Sequence, residues 1–170
     1  MMLAALIQKA DRLAEITQKV GFTLWQLQVL EHSTAQYFVL VTQARKGMGA
    51  AEGTALVKTA QSKTFGKTVS ELGKAGLLKP EIQQRFGSLL KERNWLVHNS
   101  RASSRSAVHS DLAMQKLFVR LDSIAEESDA LLKELGALAE MHVIQHGVSE
   151  QEIAERTNRL LQEWQTSDAR

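Results

Sequence analysis

The sequence has no cysteine, a single proline (Pro80) and few aromatic residues, which make up 5% of its 170 residues. Without cysteine, disulfides and thiolate metal sites are excluded. One proline and ten glycines provide little of the turn punctuation that strand-rich folds require, so the composition favours helices. The length suits one domain with a hydrophobic core of its own.

The sequence also lacks a long apolar run and a basic leader. No segment is long enough to span a bilayer. The short apolar run in residues 1–16 passes directly into an amphipathic helical pattern, unlike a signal peptide. Together with the lack of cysteine, these features predict a cytoplasmic protein.

Charge is divided unevenly along the chain, although the net charge is only +2. Residues 1–120 carry 17 of the 21 Lys and Arg and 8 of the 19 Asp and Glu, a net of +9. Residues 121–170 carry 4 basic and 11 acidic residues, a net of −7. This division allows either polyanion binding by the first part or pairing of the two parts within one molecule or dimer. Internal pairing is the interpretation we favour.

Apolar residues at three- and four-residue steps predict helices over most of the chain. The predicted helices cover residues 2–20 and 24–45 (one kinked helix or two, divided at Gly21), 54–75 (one helix or two, ending at Gly73 or Gly76), Pro80 to a frayed end at 99–106, 108–145, and a last helix from the capping box Ser149-x-x-Glu152 to about Trp164. The glycines of residues 47–53 predict a flexible loop. The predicted fold is an all-α, up-down helical bundle with a long C-terminal helix pair.

One apolar seam has coiled-coil spacing. Its members alternate in steps of four and three residues: Leu117, Leu121, Ile124, Ser128, Leu131, Leu135 and Leu138. Such a seam suits either an intramolecular bundle or a partner helix.

A polar cluster, Arg93, Asn94 and His98, lies within an otherwise apolar helical segment. Polar groups in such a segment need hydrogen-bonding partners or a functional role. The arginine fork suits phosphate oxygens, and histidine can exchange a proton near neutral pH. Together they can cleave RNA without a metal: histidine acts as general acid or base around the ribose 2′-hydroxyl and the leaving oxygen, and arginine stabilises charge on the phosphate.

Helix geometry complicates this scheme. Arg93 and His98 are separated by about 140° around an ideal helix, whereas Asn94 and His98 share a face and could hydrogen-bond. Distortion near the helix end, or the reach of arginine, has to bring the guanidinium across. Glu31, in an apolar helix, is either a pairing partner for Arg93 or His98 or simply a surface charge.

The motif Arg93-Asn94-x-x-x-His98 resembles the signature of the HEPN superfamily of α-helical domains. The segment from Thr64 to Leu72, TFGKTVSEL, followed by KERNWLVH, is similar to an uncharacterised bacterial branch of that group. The resemblance implies a HEPN-like helical domain over residues 1–145, with 146–170 as a helical extension that packs on the same domain or on a partner. It further implies a metal-independent endoribonuclease of toxin or defence type, with Arg93 and His98 catalytic and Asn94 supporting. Family members commonly form homodimers in which two motifs face one composite cleft, and a cognate antitoxin or other partner protein is a further expectation.

Three alternatives stay open. The polar cluster could be a structural network at a dimer seam, and the chain a non-catalytic dimerisation or protein-interaction module. Lys91, Arg101 and Arg105 flank the motif and could hold an RNA backbone, or they could be solvated loop cations. The tryptophans Trp25, Trp95 and Trp164 are more typical of core or interface residues than of base-stacking platforms.

No cofactor and no metal site is predicted, since His142 and His146 lack both the glutamate of a zinc helix motif and a third ligand.

Overall fold

A computed structural model describes residues 2–167, which form six α-helices. These are α1 (Met2–Thr42), α2 (Ala50–Gln61), α3 (Phe65–Lys74), α4 (Pro80–Ala107), α5 (Asp111–Gln145) and α6 (Glu150–Ser167). No strand occurs among these residues, so the predicted all-α helical bundle is confirmed. None of the described helices is both long and apolar enough to cross a membrane.

The three longest helices frame the core. Ion pairs from α1 to α5 join Arg12 to Asp111 and Lys19 to Asp122, so α1 and α5 run parallel. Helix α4 runs antiparallel to α5. Arg85, early in α4, pairs with Glu127, whereas Glu92, further along α4, pairs with Arg120, which comes earlier in α5. Helices α2 and α3 pack against the C-terminal half of α1.

The coiled-coil seam of α5 is part of this core. Its first six members are no more than 3% exposed, and Leu138 is partly buried. The only hydroxyl among them, on Ser128, donates to the carbonyl of Ile124 at 2.7 Å, so it is satisfied inside the helix. Because α1 and α4 cover the seam, the alternative that it binds a partner helix is wrong.

The helix bounds differ from the prediction at two places. Helix α2 begins at Ala50, inside the segment predicted as a flexible loop. Helix α4 continues to Ala107, which is fully buried, so the fraying predicted over residues 99–106 is wrong. Three of the four serines of that segment, Ser100, Ser104 and Ser106, donate to carbonyls four residues earlier, at 2.5 to 3.3 Å, and thereby satisfy their hydroxyls within the helix.

Other predicted boundaries are confirmed. Helix α1 passes through Gly21 without a break, so the segments before and after it form one helix. Gly76 follows α3 with a φ of 69°, a left-handed conformation that favours glycine. The capping box is present: the Ser149 N–H donates to the Glu152 carboxylate at 2.8 Å, and the Glu152 N–H donates to the Ser149 hydroxyl at 3.2 Å. The bond from the Ser149 N–H holds the pKa of Glu152 below its usual value.

Ion pairs connect the basic and the acidic parts of the chain. Lys19 pairs with Asp122, and Arg85 pairs with both Glu127 and Glu134, which raises the pKa of Arg85. Internal pairing therefore accounts for part of the charge division.

Helix α6 belongs to the predicted C-terminal extension, residues 146–170, of which 168–170 lie outside the described residues. None of its described side chains is buried, and only Ile153 is half-buried. Two of the three tryptophans also depart from a core role, since Trp25 is 57% and Trp164 is 73% exposed, whereas Trp95 is partly buried against the core.

Candidate functional site

A cleft opens where the start of α3 approaches the middle of α4. Its volume is about 410 Å³. A smaller hollow of about 200 Å³ adjoins it toward α2 and adds His32 to the lining. The cleft combines polar side chains from α1, α4 and the turn before α3, and it is lined by Glu31, Lys63, Thr64, Phe65, Gly66, Leu90, Arg93 and Asn94.

Local sequence sets the position of α3 in this cleft. Thr64 caps the helix, and its hydroxyl accepts from the N–H of Lys67 at 3.4 Å. Gly66 approaches α4 closely: a Cβ there would stand 3.7 Å from a methyl of Leu90. The neighbouring Phe65 packs edge-on against Phe86, with ring centroids 5.9 Å apart. The first turn of the Thr64–Leu72 segment is thus held against α4, the helix that carries the motif.

Arg93 is held in the cleft by Glu31. Its Nε donates to Glu31 Oε1 at 2.9 Å, and the two side chains are 33% and 28% exposed. This confirms Glu31 as a pairing partner of Arg93. The two terminal nitrogens of Arg93 make no hydrogen bond within residues 2–167, so four N–H donors stay available to a ligand such as a phosphate.

Asn94 and His98 lie on the solvent side of α4, together with three cations. At about 100° per residue, the five side chains fall within about 80° of one another around the helix axis and extend over about 21 Å of its length. All five are exposed, and none is in an ion pair or side-chain hydrogen bond with the described part of the chain. We call this set the α4 stripe: Lys91, Asn94, His98, Arg101 and Arg105.

The structure does not bring Arg93 and His98 together. Helix α4 is regular through both residues, so their directions differ by about 140°. The helix distortion that was predicted to join them is absent, because the helix neither ends nor frays nearby. Asn94 lines the cleft beside Arg93, whereas His98 does not. The predicted hydrogen bond between Asn94 and His98 is not formed.

Lys63 is the cleft residue that sequence reasoning missed. Its Nζ pairs with Glu71 at 2.7 Å and lies 4.6 Å from the centroid of the Phe38 ring. The hydrogen bond from Lys63 is the main cause that lowers the pKa of Glu71. No spacing in the sequence links Lys63 to Arg93, since the packing of α3 on α4 is what places both in one cleft.

Trp95 is not a free platform for a base. The guanidinium of Arg120 covers its ring at 3.5 Å from the centroid, and that arginine is fixed by two hydrogen bonds to Glu92 at 2.7 and 3.2 Å. The ring is therefore occupied by a cation–π contact within the chain.

His142 and His146 do not form a chelating pair. Their rings stack with centroids 4.2 Å apart, and Nδ1 of His146 lies 2.7 Å from the carbonyl oxygen of His142. Burial, and then the neighbouring His146, lower the pKa of His142. Across residues 2–167, no group of three or more His, Asp or Glu side chains is placed to hold a metal ion.

No family model, curated protein or solved structure matches this chain. The resemblance to the HEPN superfamily therefore depends on the motif from Arg93 to His98 and on the segment from Thr64 to Leu72. In the structure, the beginning of that segment and the beginning of the motif line one cleft.

Proposed function

We propose that this chain is a metal-independent endoribonuclease of HEPN type that acts as a homodimer. In the proposed reaction, His98 takes the proton of a ribose 2′-hydroxyl, and the oxygen attacks the adjacent phosphorus. The bond from phosphorus to the 5′-oxygen breaks, and the protonated imidazole returns a proton to that oxygen. Arg93 binds the phosphate and stabilises its charge, and Asn94 supports the site. The product ends are a 2′,3′-cyclic phosphate and a 5′-hydroxyl.

The observation that carries this proposal is the α4 stripe. Most cationic side chains near the middle of the bundle are neutralised: Arg85, Arg93 and Arg120 all pair with glutamates. The three cations of the α4 stripe are exposed and unpaired within residues 2–167. They flank a histidine and an asparagine over a length that several phosphates of a single strand can occupy. An uncompensated row of cations beside a proton-transfer group suits an RNA backbone.

The proposed homodimer follows from the directions of the two catalytic side chains. Arg93 points to the side of Glu31, and His98 is about 140° away on the same regular helix. One chain alone therefore leaves the phosphate-binding group and the proton-transfer group apart. A two-fold arrangement can set Arg93 of one chain opposite His98 of a second copy, and it then forms two such sites. The toxin or defence role and a cognate antitoxin stay predictions from the resemblance.

Cleavage of single-stranded RNA by the purified protein in the presence of a chelator tests the function. We expect products with 2′,3′-cyclic phosphate ends from the wild type and none from Arg93→Ala or His98→Ala. His109→Ala is the matched control, since His109 is an exposed histidine in the turn between α4 and α5. If His98→Ala cleaves RNA as fast as the wild type, the proposal is wrong.

A second candidate function is a non-catalytic helical interaction module. The observation that favours it is the number of large apolar side chains exposed on α1 and α6. In that case the pair of Glu31 and Arg93 is purely structural, and no variant of the α4 stripe alters an RNA substrate. The same cleavage assay separates the two candidates.

A further inference from the structure

Helix α1 is apolar on two opposite sides, and only one of them is covered. Ile16, Thr23, Leu27 and Leu30 face α5 and the core and are at most 2% exposed. Six other large side chains of α1 are 49% to 71% exposed, three of them before the level at which α5 begins. We call these six the outer face of α1: Leu3, Leu6, Ile7, Leu13, Phe22 and Trp25. A helix that is apolar on both sides is normally buried on both.

The exposed apolar area of this face is large for a monomer. A large apolar side chain offers roughly 200 Å², so the six together present about 700 Å² of accessible surface. The largest apolar patch on a typical monomer is about 300 to 600 Å². A stable interface buries about 800 Å² per partner. The outer face of α1 is therefore close in size to one side of such an interface.

Helix α6 has an uncovered apolar side of its own. Ile153, Leu160 and Trp164 follow one another at seven and four residues and so share a face, and Leu161 lies beside them. Leu160 and Leu161 are each 49% exposed, and Trp164 is 73% exposed. The helix of 18 residues is about 27 Å long, against about 33 Å for the span from Leu3 to Trp25.

The two faces cannot meet within one chain. Because Arg12 pairs with Asp111 and Lys19 with Asp122, each residue of α1 is level with the residue of α5 about 100 positions later. The end of α5 is thus level with the C-terminal end of α1. Even if α6 returned along α1, its last residue would reach only about the level of residue 28 at 1.5 Å per residue. The outer face begins at Trp25 and extends away from that point.

Charged side chains border both faces. Asp11 and Glu15 lie along one edge of the outer face of α1, are exposed, and take part in no ion pair with the described residues. Arg156 and Arg159 lie along one edge of the apolar side of α6 and are likewise exposed and unpaired there. Glu152 and Glu163 stand on the same edge of α6 as the two arginines, so the apolar areas, and not the bordering charges, favour docking.

We infer that α6 of one chain docks on the outer face of α1 of a second copy, and that the exchange is reciprocal. A two-fold dimer of this kind covers both apolar faces of both chains and closes without leaving a free face. This inference concerns assembly and does not depend on cleavage. Glu31 pairs with Arg93, and α4 runs antiparallel to α1. Trp25, six residues before Glu31, is therefore about level with His98, five residues after Arg93, and one end of the docked α6 would lie near that level.

Two charge insertions test the exchange in the full-length protein. Ile7→Glu alters only the outer face of α1, and Trp164→Glu alters only α6. We expect a wild-type dimer in sedimentation equilibrium. In the homodimer of either variant, both contacts between α6 and α1 are altered. Each altered contact should raise the dissociation constant about 30-fold, so the two together raise it about 1,000-fold. Val119→Glu is the matched control, because Val119 is a 64% exposed residue of α5 outside both faces, and it should dimerise as the wild type does.

Mixing the two variants gives the decisive result. The Ile7→Glu chain retains an intact α6 and the Trp164→Glu chain an intact α1, so their mixture should form a heterodimer with one intact contact, about 30-fold weaker than the wild type. If only Ile7→Glu prevents dimerisation, α1 pairs with α1 and the inference is wrong. If only Trp164→Glu does so, α6 pairs with α6 and it is equally wrong. A wild type that stays monomeric at every concentration also overturns it, whether or not the protein cleaves RNA.

Discussion

The ion pair between Glu31 and Arg93 allows a quantitative test of whether Arg93 serves the fold or the reaction. Both side chains are about one third exposed, and a single hydrogen bond of 2.9 Å joins them. Partly exposed pairs of this kind contribute about 0.5 to 1 kcal/mol. We therefore expect Glu31→Gln and Arg93→Gln each to lower the free energy of unfolding by about 1 kcal/mol, and Tm by about 2 to 4 °C. The coupling energy from the double-mutant cycle should be about 0.5 to 1 kcal/mol.

The rate of RNA cleavage should fall far more in Arg93→Gln than in Glu31→Gln. Arg93→Gln removes a charge that acts on the phosphate, and we expect cleavage to fall at least 100-fold. Glu31→Gln removes only the group that positions Arg93. At about 1 kcal/mol, this corresponds to a loss of about fivefold. The four proteins of the cycle are compared by urea unfolding at pH 7 and by cleavage rate on one RNA.

A structural network predicts the opposite pattern. Breaking a buried, fully engaged pair costs about 3 to 5 kcal/mol. A loss of that size in the free energy of unfolding of Arg93→Gln, with its cleavage rate unchanged, would refute the assignment of Arg93 to the reaction. A coupling energy of zero would show that the pair to Glu31 does not hold Arg93 at all.

Three further predictions concern the core, the α4 stripe and the end of α5. Leu131 is fully buried and Leu161 is 49% exposed, so Leu131→Ala should lower the free energy of unfolding by about 3 kcal/mol and Leu161→Ala by less than about 0.5 kcal/mol in urea titrations of the monomer. Arg101→Ala should reduce the slope of log affinity against log salt for a single-stranded RNA by about 0.7, measured by fluorescence anisotropy. Burial, and then His146, lower the pKa of His142 from its usual 6.5. The unfolded chain therefore binds that proton more readily, and the last turns of α5 should lose stability as the pH falls below 6.5, which amide hydrogen exchange detects.

Each of these has a clear contrary outcome. A small effect of Leu131→Ala would mean that the seam of α5 is not the core. An unchanged salt slope in Arg101→Ala would separate that residue from the RNA backbone. If His146→Gln does not raise the pKa of His142 in an NMR titration, the imidazoles do not interact.

The sequence predicted the helices and their caps well because those features are local. Pro80, Gly76 and the pair of Ser149 and Glu152 each act through backbone geometry or a nearby hydrogen bond, which spacing alone reveals. The end of α4 was mispredicted because serines usually favour loops, yet here their hydroxyls bond back to the helix while the buried Ala107 anchors its last turn. Tertiary packing outweighs residue preference at that point.

The site was only partly predictable. The motif residues Arg93, Asn94 and His98 stand out in sequence because polar groups interrupt an apolar pattern. Lys63 does not, since it reaches the cleft through the packing of α3 on α4. The sequence also did not show where α4 ends, and the directions of the Arg93 and His98 side chains depend on that end. A regular α4 separates the two residues, whereas a frayed helix could have brought them together.

The most direct test of the proposed site is subunit complementation between two inactive variants. Arg93→Ala chains retain His98, and His98→Ala chains retain Arg93, so a mixed dimer has one complete site only if the two residues act across the interface. After equal amounts are mixed and allowed to exchange, we predict metal-independent cleavage at about one quarter of the wild-type rate, since half of the dimers are mixed and each has one of two sites. If the mixture stays as inactive as either variant while exchange is shown to occur, the shared site of Arg93 and His98 is contradicted.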